Sequence, residues 1–326
     1  MGFTIAVDAM GGDLAPEAIV LGTLQAVETG DLSAILVGDE ARIRAFLPDG
    51  APDRVTIVHT DEEIGMGESP TTALRQKPKA SLTVAVQEHQ AGRADAVVSA
   101  GNTGAFYAAS LLTLGRLPGV SRPTIGTFIP TQNRTGFLLD VGTNPDCKPV
   151  HLQQFGIMGS IFVEHMIGQE NPTVGLLSIG EESSKGNEVT IEAHKLLRET
   201  AVNFIGNVEG RDVLAGTVDL IVCDGFVGNV LLKYTESLYG LFKSKLQEAA
   251  GAMSEEARAA LQPVTTGLKQ QFDYQQYGGV PMLGLDGVAI VCHGGSSPEA
   301  MKNAIFAAQR VVDTRVNDLI RERIVK

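Results

Sequence analysis

Four times in this chain an apolar run of strand length stops at a polar, glycine-bearing loop, at 8–16, 99–105, 140–149 and 178–188. A helix is expected after each. A strand-length run followed by helical spacing is the repeating unit of an open α/β sheet. Ligands of such sheets bind outside the carboxyl ends of the strands, so these loops are where chemistry is expected. The first follows a strand over 3–7 and places Asp8 and Asp13 at that strand's carboxyl end. Gly11 and Gly12 let the backbone turn tightly and let another group approach closely. Asp13 is also a candidate cap for the helix over 18–27, which has Pro16 near its first turn.

The loop at 178–188 reads Ser-Ile-Gly-Glu-Glu-Ser-Ser-Lys-Gly-Asn-Glu, between an apolar run over 173–177 and helical spacing from Val189 to Leu197. Ser183, Ser184, Lys185, Gly186 and Asn187 would bring backbone N–H groups, a helix N-terminus and an ammonium to one small anion, and phosphate is the lead reading. The plainer alternative is that Ser184 or Asn187 caps the helix and Lys185 points into water.

Further strands are expected over 34–37, 55–58, 95–99, 124–129, 136–141, 204–210, 218–223 and 288–291, with helices over 40–47 and from about 79 to 91. The stretch 62–78 is expected as a loop. The strand over 218–223 ends in Asp224-Gly225-Phe226-Val227-Gly228-Asn229, and that over 288–291 ends at His293 before another glycine pair. Ser297 is the expected cap of a final helix opened by Pro298 and Glu299. Between these strands, 230–250 and a segment from Ser254, interrupted by Pro263, form a long helical hairpin. Leu231, Tyr234, Leu238, Phe242 and Leu246 stripe one arm; Leu261, Val264, Leu268 and Phe272 stripe the other. A stripe on each arm is expected to pack on a second copy. The tip, with Leu241, Phe242 and Met253 beside Lys243 and Lys245, suits an anionic membrane surface, against which Glu248, Glu255 and Glu256 count.

Whole classes are excluded. With 44% hydrophobic residues and 37 glycines spread along 326 positions, the chain is globular. A formal charge of −12 with no dense cluster of cations argues against nucleic acid. Cys147, Cys223 and Cys292 lack the spacing of a disulfide framework or zinc site; Cys223 and Cys292 lie in apolar runs and are expected buried. There is no secretory pattern and no apolar stretch near the roughly 20 residues that span a bilayer, so a cytoplasmic protein is expected. A dinucleotide fingerprint, a nucleophile elbow and a Walker A sequence are all missing. Glycines, amides, hydroxyls and a lysine remain, an inventory that binds an anion and polarises a carbonyl without a covalent nucleophile.

The residues of 8–16 (DAMGGDLAP), 99–105 (SAGNTGA), 185–188 (KGNE), 204–212 (FIGNVEGRD), 224–233 (DGFVGNVLLK), 277–287 and 293–297 occur in one order along the chain. In these the sequence resembles the bacterial phosphate acyltransferase family (PlsX). Thr143, Pro145 and Cys147 depart from its usual Asp-Val-Gly-Ala-Asn loop, while Asn144 is kept. The resemblance implies a three-layer α/β/α fold of the isocitrate/isopropylmalate-dehydrogenase or phosphotransacetylase kind, as a single unit over 1–326 with the hairpin inserted at 226–276. It implies transfer of a long acyl chain from acyl-acyl-carrier protein to inorganic phosphate, without nucleotide, cofactor or metal. It also implies a homodimer, loose contact with the inner face of the cell membrane, and an acyl-phosphate:glycerol-3-phosphate acyltransferase downstream in phosphatidic acid synthesis.

On this reading phosphate rests on the N–H groups of Ser183, Ser184, Gly186 and Asn187, held by Lys185 and by Asn144 or Asn102. Lys185 and Asn229 steady the oxyanion, and His293 is a candidate to protonate the leaving thiolate. Asp8, Gly11, Gly12 and Asp224 complete the expected substrate-binding set. Arg75, Lys77, Lys79, Lys243 and Lys245 are the cations considered for docking the carrier. The rivals are a phosphotransacetylase acting on short acyl-coenzyme A, a decarboxylating dehydrogenase, and a non-catalytic lipid-surface scaffold.

Overall fold

A computed structural model describes residues 2–48, 53–132, 135–251, 253–271 and 278–324. The chain runs β1 (Phe3–Asp8), α1 (Glu17–Thr29), β2 (Leu32–Gly38), α2 (Glu40–Arg44), β3 (Val55–His59), α3 (Pro70–Gln76), α4 (Ser81–Gln90), β4 (Ala96–Ser99), α5 (Thr103–Leu114), β5 (Thr124–Pro130) and β6 (Thr135–Leu139). It continues with α6 (Pro149–Phe162), which ends in a π-helical turn, then β7 (Thr173–Leu177), α7 (Glu188–Arg198), β8 (Asn203–Val208), α8 (Gly210–Ala215), β9 (Leu220–Val222), α9 (Gly225–Gly251) and α10 (Glu255–Gln271). β10 (Gly279–Leu283), β11 (Ala289–Cys292), α11 (Pro298–Asp313) and α12 (Val316–Ile324) close it.

Among the described residues, eleven strands form one sheet in the order β3-β2-β1-β4-β11-β10-β5-β6-β9-β7-β8. β3, β2, β1, β4 and β11 are mutually parallel, as are β6, β9, β7 and β8. Between the two sets come three antiparallel pairings, β11 with β10, β10 with β5 and β5 with β6. Three reversals leave the two parallel halves running in opposite senses, so their carboxyl ends look to opposite edges of the sheet.

Period-two alternation decides what each face buries. In β1, Phe3, Ile5 and Val7 join the core on one face and Ala6 the core on the other; in β2, Ala34 and Leu36 oppose Ile35 and Val37. The first core is continuous across the whole sheet, uniting side chains of α1, α6, α7, α11 and α12. The other face carries two separate cores, one under α4 and α5 and one beneath α8 in the β6–β9 half. Helices on both faces make a three-layer α/β/α architecture, and the break between those two cores lies over β10 and β5.

Two of the candidate caps are present, Asn187 accepting from Thr190 N at 2.9 Å on α7 and Ser297 from Ala300 N at 3.3 Å on α11; Asn102 caps α5 as well, accepting from Ala105 N at 3.1 Å, a role the sequence reading did not assign. Asp13 does not cap α1, whose first residue follows Pro16 with no side-chain cap. The loop expected over 62–78 contains α3. The segment 225–229 is not loop but the first turn of α9, because the Asp224 carboxylate accepts from Val227 N at 2.8 Å and caps it. Pro263 does not interrupt the hairpin's second arm; α10 passes through it, forgoing the N–H that proline lacks. The end of the expected insertion at 272–276, with Phe272, lies outside the described residues, as does Tyr277.

Candidate active site

A groove of about 730 Å³ occupies the break between the two cores. Its floor is β5, with Ile125 to Pro130, and the start of β10; α5 and α9 form its walls. Ile125, Phe128, Ile129, Leu232 and Val280 make it largely apolar, a volume and lining suited to a small ligand or the chain of a larger one. Polar side chains stand along the α9 wall, with Lys233, Thr235 and Glu236, and at the groove's two ends. Asn229 and Thr143 stand at the end near Ile125, because Val141 N donates to Ile125 O at 2.9 Å. His293 stands at the other, following Cys292, which pairs with Gly279, itself three residues from the partner of Ile125. Three residues of strand are about 10 Å.

The Asn229 end is built on Asp140. This fully buried carboxylate accepts from Gly142 N and Thr143 N, each at 2.8 Å, from the Thr143 hydroxyl, and from Asn144 Nδ2 at 2.6 Å. α9 starts directly against this loop. A Cβ on Gly225 would lie 2.8 Å from Asn144 N, and one on Gly228 would collide with the Asp140 carbonyl. Only glycine allows that approach, which brings Asn229 over Gly142, whose built Cβ would stand 3.6 Å from Asn229 Cγ.

The loop with Lys185 follows β7, which pairs directly with β9, the strand that leads into Asp224. Lys185, Ser183 and Ser184 are exposed, and they do not line the groove. The Lys185 N–H closes a turn on the Glu182 carbonyl at 2.9 Å, and Gly186 takes φ 114° before Asn187 caps α7. Asn187 thus has the capping role of the plainer alternative. Asp224, Asn144, Asn229 and the Lys185 loop belong to one row of strand ends.

Asp8, Gly11, Gly12, Asn102 and His293 belong to the opposite row. Burial pushes the Asp8 carboxyl above its ordinary range, against hydrogen bonds that include one from Ser99 Oγ at 2.6 Å. A Cβ on Gly11 would sit 2.7 Å from Gly101 N, so these glycines lock two loops together. Asn102 spends its amide on the carbonyls of Met66 and Glu68, at 3.1 and 3.0 Å. Asn144 spends its own on Asp140 and on Pro123 O, at 2.8 Å. Both asparagines shape loops here, their amide donors engaged by neighbouring carbonyls and a carboxylate. His293 Nδ1 accepts from Gly295 N at 3.0 Å, which leaves the neutral ring's proton on Nε2.

Burial pushes up all three thiols, that of Cys147 to about 12. Of the docking cations, Lys77 is paired with Glu68 at 2.6 Å and Lys245 with Glu248 at 2.7 Å. Sequence reasoning missed Asp140 as the hub of its loop and Tyr107, Lys233, Glu236 and Tyr239 in the groove walls. Asp140 had a signal, a carboxylate at a strand's end followed by donors; the wall residues sit on helix faces whose neighbours only the fold supplies. Among the described residues no cluster of His, Cys, Asp or Glu is placed to hold a metal ion, and no helix is long and apolar enough to cross a membrane.

Two solved structures share this architecture. The chain is similar to a phosphotransacetylase from Streptococcus pyogenes (TM-score 0.65, 18% identity, 95% of this chain and 94% of that one) and to EutD phosphotransacetylase from Staphylococcus aureus (TM-score 0.62, 18% identity, the same coverage). The fold is therefore phosphotransacetylase-like. In sequence the chain is 48% identical over 323 residues to the phosphate acyltransferase of Thermosynechococcus vestitus, spanning 97% of this chain and 94% of that one. It is 49% identical over 335 residues to that of Moorella thermoacetica, spanning 99% and 98%. The family model described as fatty acid synthesis protein matches residues 3–319, and the chain belongs to that family of acyltransferase enzymes.

Proposed function

We propose that the protein transfers a long-chain acyl group from acyl-acyl-carrier protein to inorganic phosphate, yielding acyl phosphate and free carrier protein for phospholipid synthesis. The observation that carries this is the apolar groove over β5, ending at Asn229, in a member of a phosphate acyltransferase family. The acyl chain lies in the groove with its thioester carbonyl at the Asn229 end. Phosphate is held by Lys185 and by N–H groups of 183–187. A phosphate oxygen forms the new bond to the carbonyl carbon, Lys185 and the Asn229 amide stabilise the oxyanion, and the carbon–sulfur bond breaks to release the carrier's thiolate, which takes a proton from solvent. Asp224 orders the first turn of α9 beneath Asn229. His293 closes the groove's far end.

A homodimer through the hairpin and loose contact with an anionic membrane surface belong to the same proposal. They are supported by Phe226, Val230, Tyr234, Leu241 and Phe242, all exposed on α9. The acyl phosphate then passes to an acyltransferase acting on glycerol 3-phosphate.

The test is incubation with palmitoyl-acyl-carrier protein and inorganic phosphate, trapping product with hydroxylamine. Phosphate-dependent hydroxamate without added nucleotide is the expected result. Product from acetyl-coenzyme A alone would replace the donor and make the enzyme a short-chain phosphotransacylase; none from either would leave a lipid-surface scaffold.

A further inference from the structure

Beneath the Lys185 loop two buried polar side chains form a relay. Asn207 on β8 and His194 on α7 are 7% and 6% exposed, and His194 Nδ1 meets Asn207 Oδ1 at 2.9 Å. Asn207 Nδ2 donates to the Glu182 carbonyl at 2.9 Å. That carbonyl is the one on which the Lys185 N–H closes its turn, also at 2.9 Å.

A carboxamide has one accepting and one donating end, so its partner at one end decides what the other presents. With the proton on Nδ1, His194 holds Asn207 Oδ1 and turns Nδ2 toward Glu182. The ring of His194 is itself set edge-on to Phe204, with centroids 5.1 Å apart. The loop's flanks have other anchors, for Ser178 Oγ donates to Lys185 O at 3.1 Å and Asn187 caps α7. Its middle has the Arg211–Glu181 ion pair, exposed at 69% and 68% and so a weak tether. Asn207 is the buried tether of that middle, one carbonyl from Lys185. The lysine stem then folds over Gly180, where a Cβ would come within 2.8 Å of Lys185 Cγ.

We propose that Asn207 is a positioning residue for Lys185, its amide oriented by His194 and holding the Glu182 carbonyl on which the Lys185 turn closes. This rests on the reading of Lys185 as the cation that holds phosphate.

The experiment compares Asn207→Asp, His194→Phe, Lys185→Ala and the double variant of Asn207→Asp with Lys185→Ala. It measures kcat, KM for phosphate and for the acyl donor, and the melting temperature. Asn207→Asp keeps the shape but sets an acceptor against the Glu182 carbonyl; kcat/KM for phosphate should fall about tenfold, with KM for the acyl donor unchanged. His194→Phe keeps the ring against Phe204 and should shift phosphate kinetics in the same direction by less, which decides the matter should Asn207→Asp fail to fold. Added to Lys185→Ala, Asn207→Asp should cost nothing more, because a residue acting through Lys185 has nothing left to position.

Additive loss in the double variant would overturn the proposal. So would wild-type phosphate kinetics in both Asn207→Asp and His194→Phe while Lys185→Ala falls about a hundredfold. Wild-type turnover of Lys185→Ala would instead remove the reading of Lys185 itself.

Discussion

Asn144 donates its side-chain amide to the buried Asp140 carboxylate at 2.6 Å, and the same nitrogen reaches Pro123 O at 2.8 Å. One amide thereby ties the end of β6 to the segment entering β5, under the groove's Asn229 end. Asn144→Ala should cost about 1–3 kcal/mol, since it removes one hydrogen bond to a buried carboxylate and one to a carbonyl, although Asp140 keeps Gly142 and Thr143 as donors and Pro123 O keeps the Tyr107 hydroxyl at 3.2 Å. Asn144→Asp should cost more, because it sets a second carboxylate against Asp140. Urea denaturation midpoints of the two variants check the order.

Glycine at 228 is a packing requirement, and glycine at 240 on the same helix is not. Among the described residues, nothing beyond the helix's own backbone lies within 4 Å of a Cβ built on Gly240, whereas one on Gly228 collides with the Asp140 carbonyl. Gly240→Ala should raise stability by up to about 1 kcal/mol through helix propensity. Gly228→Ala should lower it by about 1–3 kcal/mol through overpacking and reduce turnover by shifting Asn229. Thermal melts and steady-state rates of the two variants make the comparison; equal effects would refute it.

His89 Nε2 accepts from Val288 N at 2.9 Å and Nδ1 faces Ala94 O at 2.8 Å, so the neutral ring pins the entry to β11 onto α4. Burial holds its pKa below the ordinary 6.5. As pH falls the unfolded chain takes up this proton first, so the stability His89 contributes is whole above that value and is lost as pH drops through the folded one. Asp8, with its raised pKa, acts with the opposite sign in the acid range. Wild type should therefore lose more stability than His89→Gln between pH 7.5 and 5.5, conditions chosen on the ordinary histidine range of about 6.5. Parallel loss in the two proteins would count against the assignment.

The cysteines should be inert while the protein is folded. The Cys147 thiol, pushed to about 12, and the fully buried Cys223 and Cys292 hold little thiolate at neutral pH. Mass spectrometry after iodoacetamide should find no alkylation of native protein and three modified sites after denaturation, with turnover unchanged by the native treatment.

Leu232 lines the groove from α9 and is only half-buried, so its removal spares the core. Leu232→Ala removes apolar contact with a long acyl chain worth about 1 kcal/mol, since the side chain is already half-buried, which is roughly a fivefold rise in KM for a long-chain donor. A short-chain donor should show no change. The ratio of the two KM values is the readout.

Strands and helices whose own residues carry the pattern were legible. The apolar runs of β1 and β2, the Asn187 and Ser297 caps, and the βα order could be read directly because each rests on local chemistry. β10 could not. Gly279 and Pro281 mimic a turn, yet the strand pairs with β11 through Gly279–Pro281 and with β5 through Met282 and Leu283, so proline falls where the partner changes. α9 began early for a related reason, since Gly225 and Gly228 look like loop until the Asp140 carbonyl beside them is known. In the proposed site, Lys185, Asn229 and Asp224 are residues that strand-end positions single out, and their roles are proposals. The partners of Asn102 and Asn144, carbonyls 34 to 36 and 21 residues away in sequence, are invisible locally.

The three antiparallel pairings at the middle of the sheet make the proposed acyl groove a property of the seam. Each half-sheet alone displays one row of loops to its own edge. Neither fragment, separately folded, would own a floor for the acyl chain or a second wall to face it. Rejoined halves should recover turnover in step with the pairing of β10 to β5, so catalysis in this chain doubles as a reporter of how completely its centre has assembled.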